Sequence, residues 1–454
     1  MQSSRSDKHP VSRTRSGKKV PSSRFSRLVS LGGLASRLAG NIAVEGSKKV
    51  AQGHRPRINE LLLTPNNVKK VADKLATMRG AAMKVGQLIS MDAGTMLPPE
   101  LSAVFDRLRS DGEVMPATQL ISVLEKNWGA DWQSRFTQFS FKPIAAASIG
   151  QVHSAVCQDG RHIALKIQYP GVRESIDSDI ANVVMLLRIS GFIPKSLDIE
   201  PLITEAKEQL KAESDYWVEG EHLESVRHKL ESYPRRDELI TPLYYPDQSS
   251  RDILAMSFEC GEPLEQSLTN APQRHQIMEL IFDLFFTELF DFGLVQTDPN
   301  LANYLYQPDT QKLVLLDFGA VRSYTPDFVR DYWSAIEAAV EEDEEQLAAA
   351  LGKLGFFNTS AAVANKPIIL AIFMLAVEPL RCEGMYSFGS SNIALRIHEL
   401  GMSISKDPDA WHTPPPDVLF LHRKMAGLYL MAARLDTQVN VRSIFLKTQR
   451  QMNL

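Results

Sequence analysis

The stretch DFGLVQTDPNLANYLYQPDTQKLVLLDFG, residues 291–319, carries the tripeptide DFG at both ends, and only one copy can be a metal-holding turn. Asp291-Phe292-Gly293 closes the apolar segment QIMELIFDLFFTELF, which has helical length. Gly293 therefore sits where a left-handed residue ends a helix. No strand precedes that Asp to aim it. Asp317-Phe318-Gly319 instead follows Leu313, Val314, Leu315 and Leu316, an apolar run that reads as a buried strand. A carboxylate at the end of a buried strand is held rigidly, so the second copy is the candidate metal ligand.

Between the copies, Asp298 and Asn303 lie five residues apart in QTDPNLANYLY. A kinase-like catalytic loop needs that spacing: the Asp positions the nucleophile and the Asn ligates magnesium a turn later. Asp317 follows one hairpin further on, as a second magnesium ligand should. Upstream, Lys166 ends the strand-like IALKI, and Glu219 lies in the helical DYWVEGE, placed to pair with it. Each motif is weak by itself; their order is the signal. The fold class expected is α+β, a protein-kinase-like two-lobed fold with a small mixed N-lobe and a mostly helical C-lobe.

The rest of the chain fits that outline. Residues 58–135 carry apolar positions at three- and four-residue steps, including Val68, Val71, Leu75, Met78, Ala82, Val85 and Ile89. The segment FSFKPIAAASIGQVHSAVCQDGRHIALKIQ alternates and turns at Gly160, which predicts a hairpin or meander. Helical patterning returns over IEPLITEAKEQLKAESDYWVEGEHLESV, short strands follow at LITPLYY and DILAMSFE, and NYLYQ pairs with KLVLLDFG. Domain boundaries are expected at 1–44 (basic tail and amphipathic helix), 45–135 (helical extension), 136–260 (N-lobe) and 261–454 (C-lobe).

A net charge of −4 gives no reason to expect nucleic acid as a partner. Cys157, Cys260 and Cys382 lack CxxC spacing, which argues against a disulfide framework or a zinc site. The longest apolar run, 368–377, is ten residues and too short to span a bilayer. The first 44 residues hold nine Lys/Arg against one acid, Asp7, and lead into Leu28, Leu31, Leu34 and Leu38 at helical spacing. That basic segment reads equally as a core-docked helix, an interfacial helix on anionic lipid, or an organelle address.

Where a protein kinase has a glycine-rich loop over the phosphates, this chain has Ala145, Ala146, Ala147, Ser148, Ile149 and Gly150. A Cβ restricts close backbone approach, so nucleotide should be held differently from the usual kinase manner. Together, AAASIGQVHSA, MKVGQLISMD, ESDYWVEGE, TDPNLANYL and VLLDFGAVR resemble the UbiB family of aarF-domain atypical kinases linked to coenzyme Q biosynthesis, over roughly residues 20–450. The resemblance implies an N-terminal helical extension bearing the KxGQ motif (Lys84, Gly86, Gln87), which folds over the site and faces an ExD pair, Glu213 and Asp215. It implies ATP or ADP with Mg2+ as cofactors. Lys166 would contact the α- and β-phosphates, with Glu219 orienting it. Asn303 and Asp317 would hold the metal, Asp298 would act on the attacking group, residues 145–150 would cap the phosphates, and the strand from Met256 to Glu259 would meet adenine. Two departures stand out: the family's DPHPGN reads Asp298-Pro299-Asn300-Leu301-Ala302-Asn303 here, and Ser214 replaces a common Leu.

The expected function is a magnesium-dependent ATPase or small-molecule or lipid kinase supporting ubiquinone biosynthesis. A nucleotide-gated, lipid- or partner-binding pseudokinase is the alternative. An active protein kinase is a further one, opposed by the alanine loop, the KxGQ helix and the lack of a clear APE motif after Asp317. Expected partners are nucleotide, membrane lipid or ubiquinone precursors and biosynthetic enzymes, with a homodimer left open. Localisation is expected to be cytoplasmic and peripheral on a bacterial membrane, or else the mitochondrial matrix or inner-membrane face.

Overall fold

The strands in the first half of the chain are short, and the central ones are buried or half-buried along nearly their whole length, so that they build one small antiparallel sheet covered on both faces. The computed structural model describes residues 114–189, 200–404 and 415–452, together with Leu75, Gly80, Ala81, Ala82 and Val85 of a preceding helix. After helix α1 (Ala117–Trp128), strands β1 (Phe136–Phe139), β2 (Ala145–Ala146), β3 (Gly150–Cys157) and β4 (His162–Gln168) appear in order. The β3–β4 hairpin turns at Gly160, whose φ of 85° needs a residue without Cβ. Helices α2 (Val172–Ile189), α3 (Glu200–Glu213) and α4 (Tyr216–Leu230) follow. Next come β5 (Leu239–Ile240) and β6 (Ile253–Ser257); the sheet runs β1-β3-β4-β6, with β2 beside β3.

Helix α2 has no counterpart in the sequence reading, and the helical pattern expected from 199 to 226 is broken into two. The break falls at Ser214-Asp215, because Asp215 caps the next helix by accepting from the Trp217 N–H. Reorienting the chain there lets α4 lie against the sheet.

The second half is mostly helical around small strand pairs. It starts with β7 (Glu262–Pro263) and the apolar helix α5 (Ala271–Thr287), which passes into a π-helical turn, Glu288–Phe292. Gly293 ends that turn at φ 59°, ψ 23°, left-handed as its position predicts, so the first DFG is a helix terminus. Strands β8 (Leu294–Gln296), β9 (Tyr304–Gln307), β10 (Lys312–Leu315) and β11 (Val321–Ser323) follow. One sheet is ordered β5-β10-β9-β7, and β8 pairs antiparallel with β11. These two pairings place the loop after β8 and the turn after β10 side by side. Helices α6 (Pro326–Val340), α7 (Glu344–Lys353), α8 (Lys366–Ala376), α9 (Ile393–Ile404), α10 (Pro416–Arg434) and α11 (Val441–Met452) complete the chain. The apolar run at 368–377 lies in α8 and its C-terminal end, with Ile369, Leu370 and Phe373 in the core. No described helix is long and apolar enough to cross a membrane.

One large core cluster runs through both halves, from Leu75 and Val85 through α4 and α5 to Phe445. The aromatic-rich outer side of the first sheet, including Trp132, Phe136 and Ile163, forms a second cluster.

Candidate active site

Lys166 is on β4, between β3 and β6, so its backbone is fixed on both edges. Alternation turns its side chain toward α4, where Glu219 is buried one turn in from the N-terminus. Nζ lies 2.6 Å from Glu219 Oε1 and 2.9 Å from Oε2, and 3.6 Å from Asp317 Oδ2. The Lys166 and Glu219 side chains are 11% and 3% exposed, so the pair is largely out of water. Burial opposes the lysine charge, but the Asp317 and Glu219 carboxylates outweigh it and hold Lys166 well above its ordinary value. Burial pushes the Glu219 carboxyl up to about 7, against the pull of Lys166.

Asp317 follows β10 and is one-third exposed. Its Oδ1 accepts from the Gly319 N–H at 2.9 Å, which leaves Oδ2 toward Lys166. The turn is anchored from α4: the Phe318 carbonyl accepts from His222 Nδ1 at 3.2 Å, so that nitrogen carries the proton. Phe318 itself is buried. Asp291, in contrast, is an exposed residue of the π-helical turn.

The loop after β8 is held by short bonds. Thr297 donates its N–H and its hydroxyl to the Ala320 carbonyl, each at 2.8 Å, which ties this loop to the turn after β10. Asn300 accepts from the Ala302 N–H at 3.1 Å and caps the turn Leu301–Asn303. Asn in place of the family's His thus closes the loop through its own side chain. Asn303 Nδ2 donates to Asp298 Oδ2 at 3.1 Å and to the Asp298 carbonyl at 3.3 Å. Its amide nitrogen being so engaged, Oδ1 is the atom left for a cation.

These residues fit a magnesium–nucleotide. The protein offers hard oxygens, the Asp317 carboxylate and the Asn303 carbonyl, beside a lysine that stays charged. Among the described residues no three His, Cys, Asp or Glu converge into a metal cage. Magnesium suits that arrangement, because it is usually held by one or two protein oxygens with phosphates completing its shell. Among the described residues the Tyr216 hydroxyl is buried without a hydrogen-bond partner, under Gly150 and near Lys166, whose Nζ lies 5.3 Å from its ring centre. Burial raises the Tyr216 pKa, so it remains an O–H donor beside the lysine.

The alanine loop is divided in its roles. Ala145 and Ala146 are exposed in β2, paired with Val152 and Gln151. Ile149 is buried, and its carbonyl accepts from the Tyr169 N–H at 2.9 Å, so its side chain packs the core. Gly150 admits no Cβ: the atom would lie 2.4 Å from the Ile167 carbonyl oxygen. Ala147 donates to the Gly150 carbonyl at 2.9 Å, and Ser148 Oγ donates to Glu213 Oε2 at 3.2 Å. Met256 is buried in β6, and Glu259 lies just beyond its end, accepting from Ser257 Oγ.

The ExD carboxylates point apart. Glu213 meets the alanine loop, whereas Asp215 caps α4 and binds Arg251 at 2.8 Å. Lys84, Gly86 and Gln87 lie outside the described residues. One turn before them, a Cβ on Gly80 would sit 2.8 Å from Ile149 Cγ2 and 3.2 Å from the Ser148 carbonyl, so that helix rests on the alanine loop.

Residues 107–351, just over half of the chain, match the family model described as the ABC1 atypical kinase-like domain. The chain belongs to this family. The rat protein named "Atypical kinase COQ8B, mitochondrial" is 35% identical to it over 434 residues, covering 95% of this chain and 81% of the relative. The Saccharomyces cerevisiae protein "Atypical kinase COQ8, mitochondrial" is 34% identical over 430 residues, covering 94% and 85%. The solved Rv3197–erythromycin complex from Mycobacterium tuberculosis shares the fold at TM-score 0.55 and 24% identity, over 82% of this chain and 92% of its own. The UbiB resemblance and the kinase-like fold expected from the motifs are thereby shown.

Several residues of this ABC1 site escaped sequence reading. Helix α10 places Arg423 Nη2 2.9 Å from Asp298 Oδ1 and Nη1 3.3 Å from Gln209 Oε1. The next residue, Lys424, is buried and donates to Gln296 Oε1 at 3.0 Å and to Tyr304 OH at 3.3 Å, beneath the loop. Burial lifts the nearby Glu288 carboxyl to about 7, offset in part by Lys424. Two adjacent cations inside the otherwise apolar VLFLHRKMAGLYLMAA were the available signal.

Proposed function

We propose that this chain binds Mg2+ with ATP or ADP and transfers the terminal phosphoryl group of ATP to water or to a small lipid-like hydroxyl compound. The observation that carries the reading is Lys166 held between Glu219 at 2.6 Å and Asp317 at 3.6 Å, across the two halves of the molecule. Lys166 binds phosphate oxygens, and Glu219 keeps it from swinging away. Asn303 and Asp317 would hold magnesium, which when bound offsets phosphate charge that otherwise opposes attack. Asp298 orients the attacking oxygen and accepts its proton at a carboxylate oxygen. The alanine loop caps the phosphates through backbone groups around Ala147 and Ser148, and residues at the end of β6, Met256 to Glu259, meet the base. The family resemblance gives Lys84, Gly86 and Gln87, together with Glu213, the role of keeping a protein substrate out.

The names of the relatives support an atypical kinase that acts in mitochondria. With the motif resemblance they support a role in ubiquinone biosynthesis, on lipid precursors at a membrane face. ATP hydrolysis by the purified chain, with and without anionic liposomes, tests the reading; Lys166→Ala and Asp317→Ala should each abolish it. Nucleotide binding with no turnover under either condition would replace the enzyme with a nucleotide-gated binding module. Phosphate transfer to unrelated proteins, faster than hydrolysis, would replace it with a protein kinase.

A further inference from the structure

We infer that Arg423 is a positioning residue that sets Asp298 for phosphoryl transfer and ties its placement to the seating of the alanine loop; this deepens the phosphoryl-transfer reading and rests on it. The Arg423 side chain is 6% exposed, and Asp298 is 21% exposed. One guanidinium spans two elements, Nη2 donating to Asp298 Oδ1 and Nη1 to Gln209 Oε1 on α3. Its Nε is buried without a partner among the described residues, and the Nη atoms carry the contacts to Asp298 and Gln209. With Asn303 Nδ2 on Asp298 Oδ2, the carboxylate is gripped at both oxygens and its plane is defined.

Gln209 lies four residues before Glu213, on the same face of α3. Glu213 in turn accepts from Ser148 of the alanine loop. A continuous set of contacts thus runs from the loop over the phosphates, through α3, to Arg423 and Asp298. A planar fork can serve Gln209 and Asp298 together, whereas an ammonium is a single point of charge. Arg423 and Gln209 bond neither Lys166 nor Asp317, so removing the guanidinium should leave magnesium–nucleotide binding in place.

The test compares wild type with Arg423→Gln, Arg423→Lys, Gln209→Ala, Asp298→Asn and the double variant Arg423→Gln/Asp298→Asn. The readouts are ATP turnover and the thermal shift produced by magnesium–ATP. Arg423→Gln should lower kcat about 10- to 100-fold, the scale of a small misplacement of a reacting group, while KM and the thermal shift stay at wild-type values. Arg423→Lys should recover only part of kcat, and Gln209→Ala should lower it several-fold. The double variant should be no slower than Asp298→Asn alone. Wild-type kcat in Arg423→Gln, or losses that multiply in the double variant, overturns the inference while leaving phosphoryl transfer standing. A wild type that binds magnesium–ATP and never turns it over overturns both.

Discussion

Replacing Gly427 by Ala tests how tightly α10 holds the loop carrying Asp298. A Cβ built on Gly427 would lie 2.1 Å from Pro299 Cγ and 2.3 Å from Pro299 Cβ. Ordinary carbon contacts need ~3.5 Å, so roughly 1.4 Å must be opened. The pyrrolidine ring cannot rotate aside, because its φ is locked. The loop backbone or the helix must move instead, and Pro299 follows Asp298 directly. Overpacking of this kind costs about 1–3 kcal/mol. Gly401, on α9, has nothing within 4 Å of the same added atom. Gly401→Ala should therefore be neutral or stabilise by up to ~1 kcal/mol, through helix propensity alone. The expected difference between the two variants is ~1–4 kcal/mol in urea unfolding. ATP turnover in Gly427→Ala should fall about 100-fold if the loop shifts by an ångström. Equal midpoints for the two variants, with wild-type kcat in Gly427→Ala, would refute the idea that α10 sets the loop.

Lys166→Ala and Asp317→Ala should each remove the thermal shift caused by magnesium–ATP, while Asp291→Ala, at an exposed helix end, should keep it; the reverse pattern would assign the metal to the first DFG copy. Ala145→Gly and Ala146→Gly should loosen the exposed β2 segment and change the ATP-to-ADP affinity ratio, read by calorimetry; an unchanged ratio would remove the alanine loop from nucleotide selection. His422 packs among Phe356, Phe373 and Tyr332, and burial lowers its pKa from 6.5 to about 4. The unfolded chain then takes up the proton first, so this group's stability is intact above pH ~6.5 and declines toward pH ~4, with ~2 kcal/mol gone near pH 5. His422→Phe should flatten that part of the unfolding-midpoint profile between about pH 7 and 5, and an unchanged slope would exclude His422 as its source.

The distinction between the two DFG copies was legible because it rests on local signals. An apolar run of helical length ending in Gly293, and a four-residue apolar strand before Asp317, differ in the chain's own periodicity. Lys166, Glu219, Asp298 and Asn303 were readable for a related reason: the motif order fixes which element carries each, and the fold then brings Lys166, Glu219 and Asp317 within ion-pair distance. Helix α2 was missed because its charged first turns blur the helical pattern. The break between α3 and α4 was missed because a capping Asp inside a helical run reads as one more polar position.

What the sequence alone determined, then, is most of the succession of elements and the identity of the charged groups that the fold brings together, Lys166, Glu219 and Asp317, since both follow from neighbours a few positions away. Only the tertiary structure decided how those groups are held. Arg423 and Asp298 are 125 positions apart, as close contacts between α10 and its loop must be, and Gly427 is needed solely because Pro299 lies against it. Such pairings are set by the packing of whole helices against one core, and no local period in the chain encodes them.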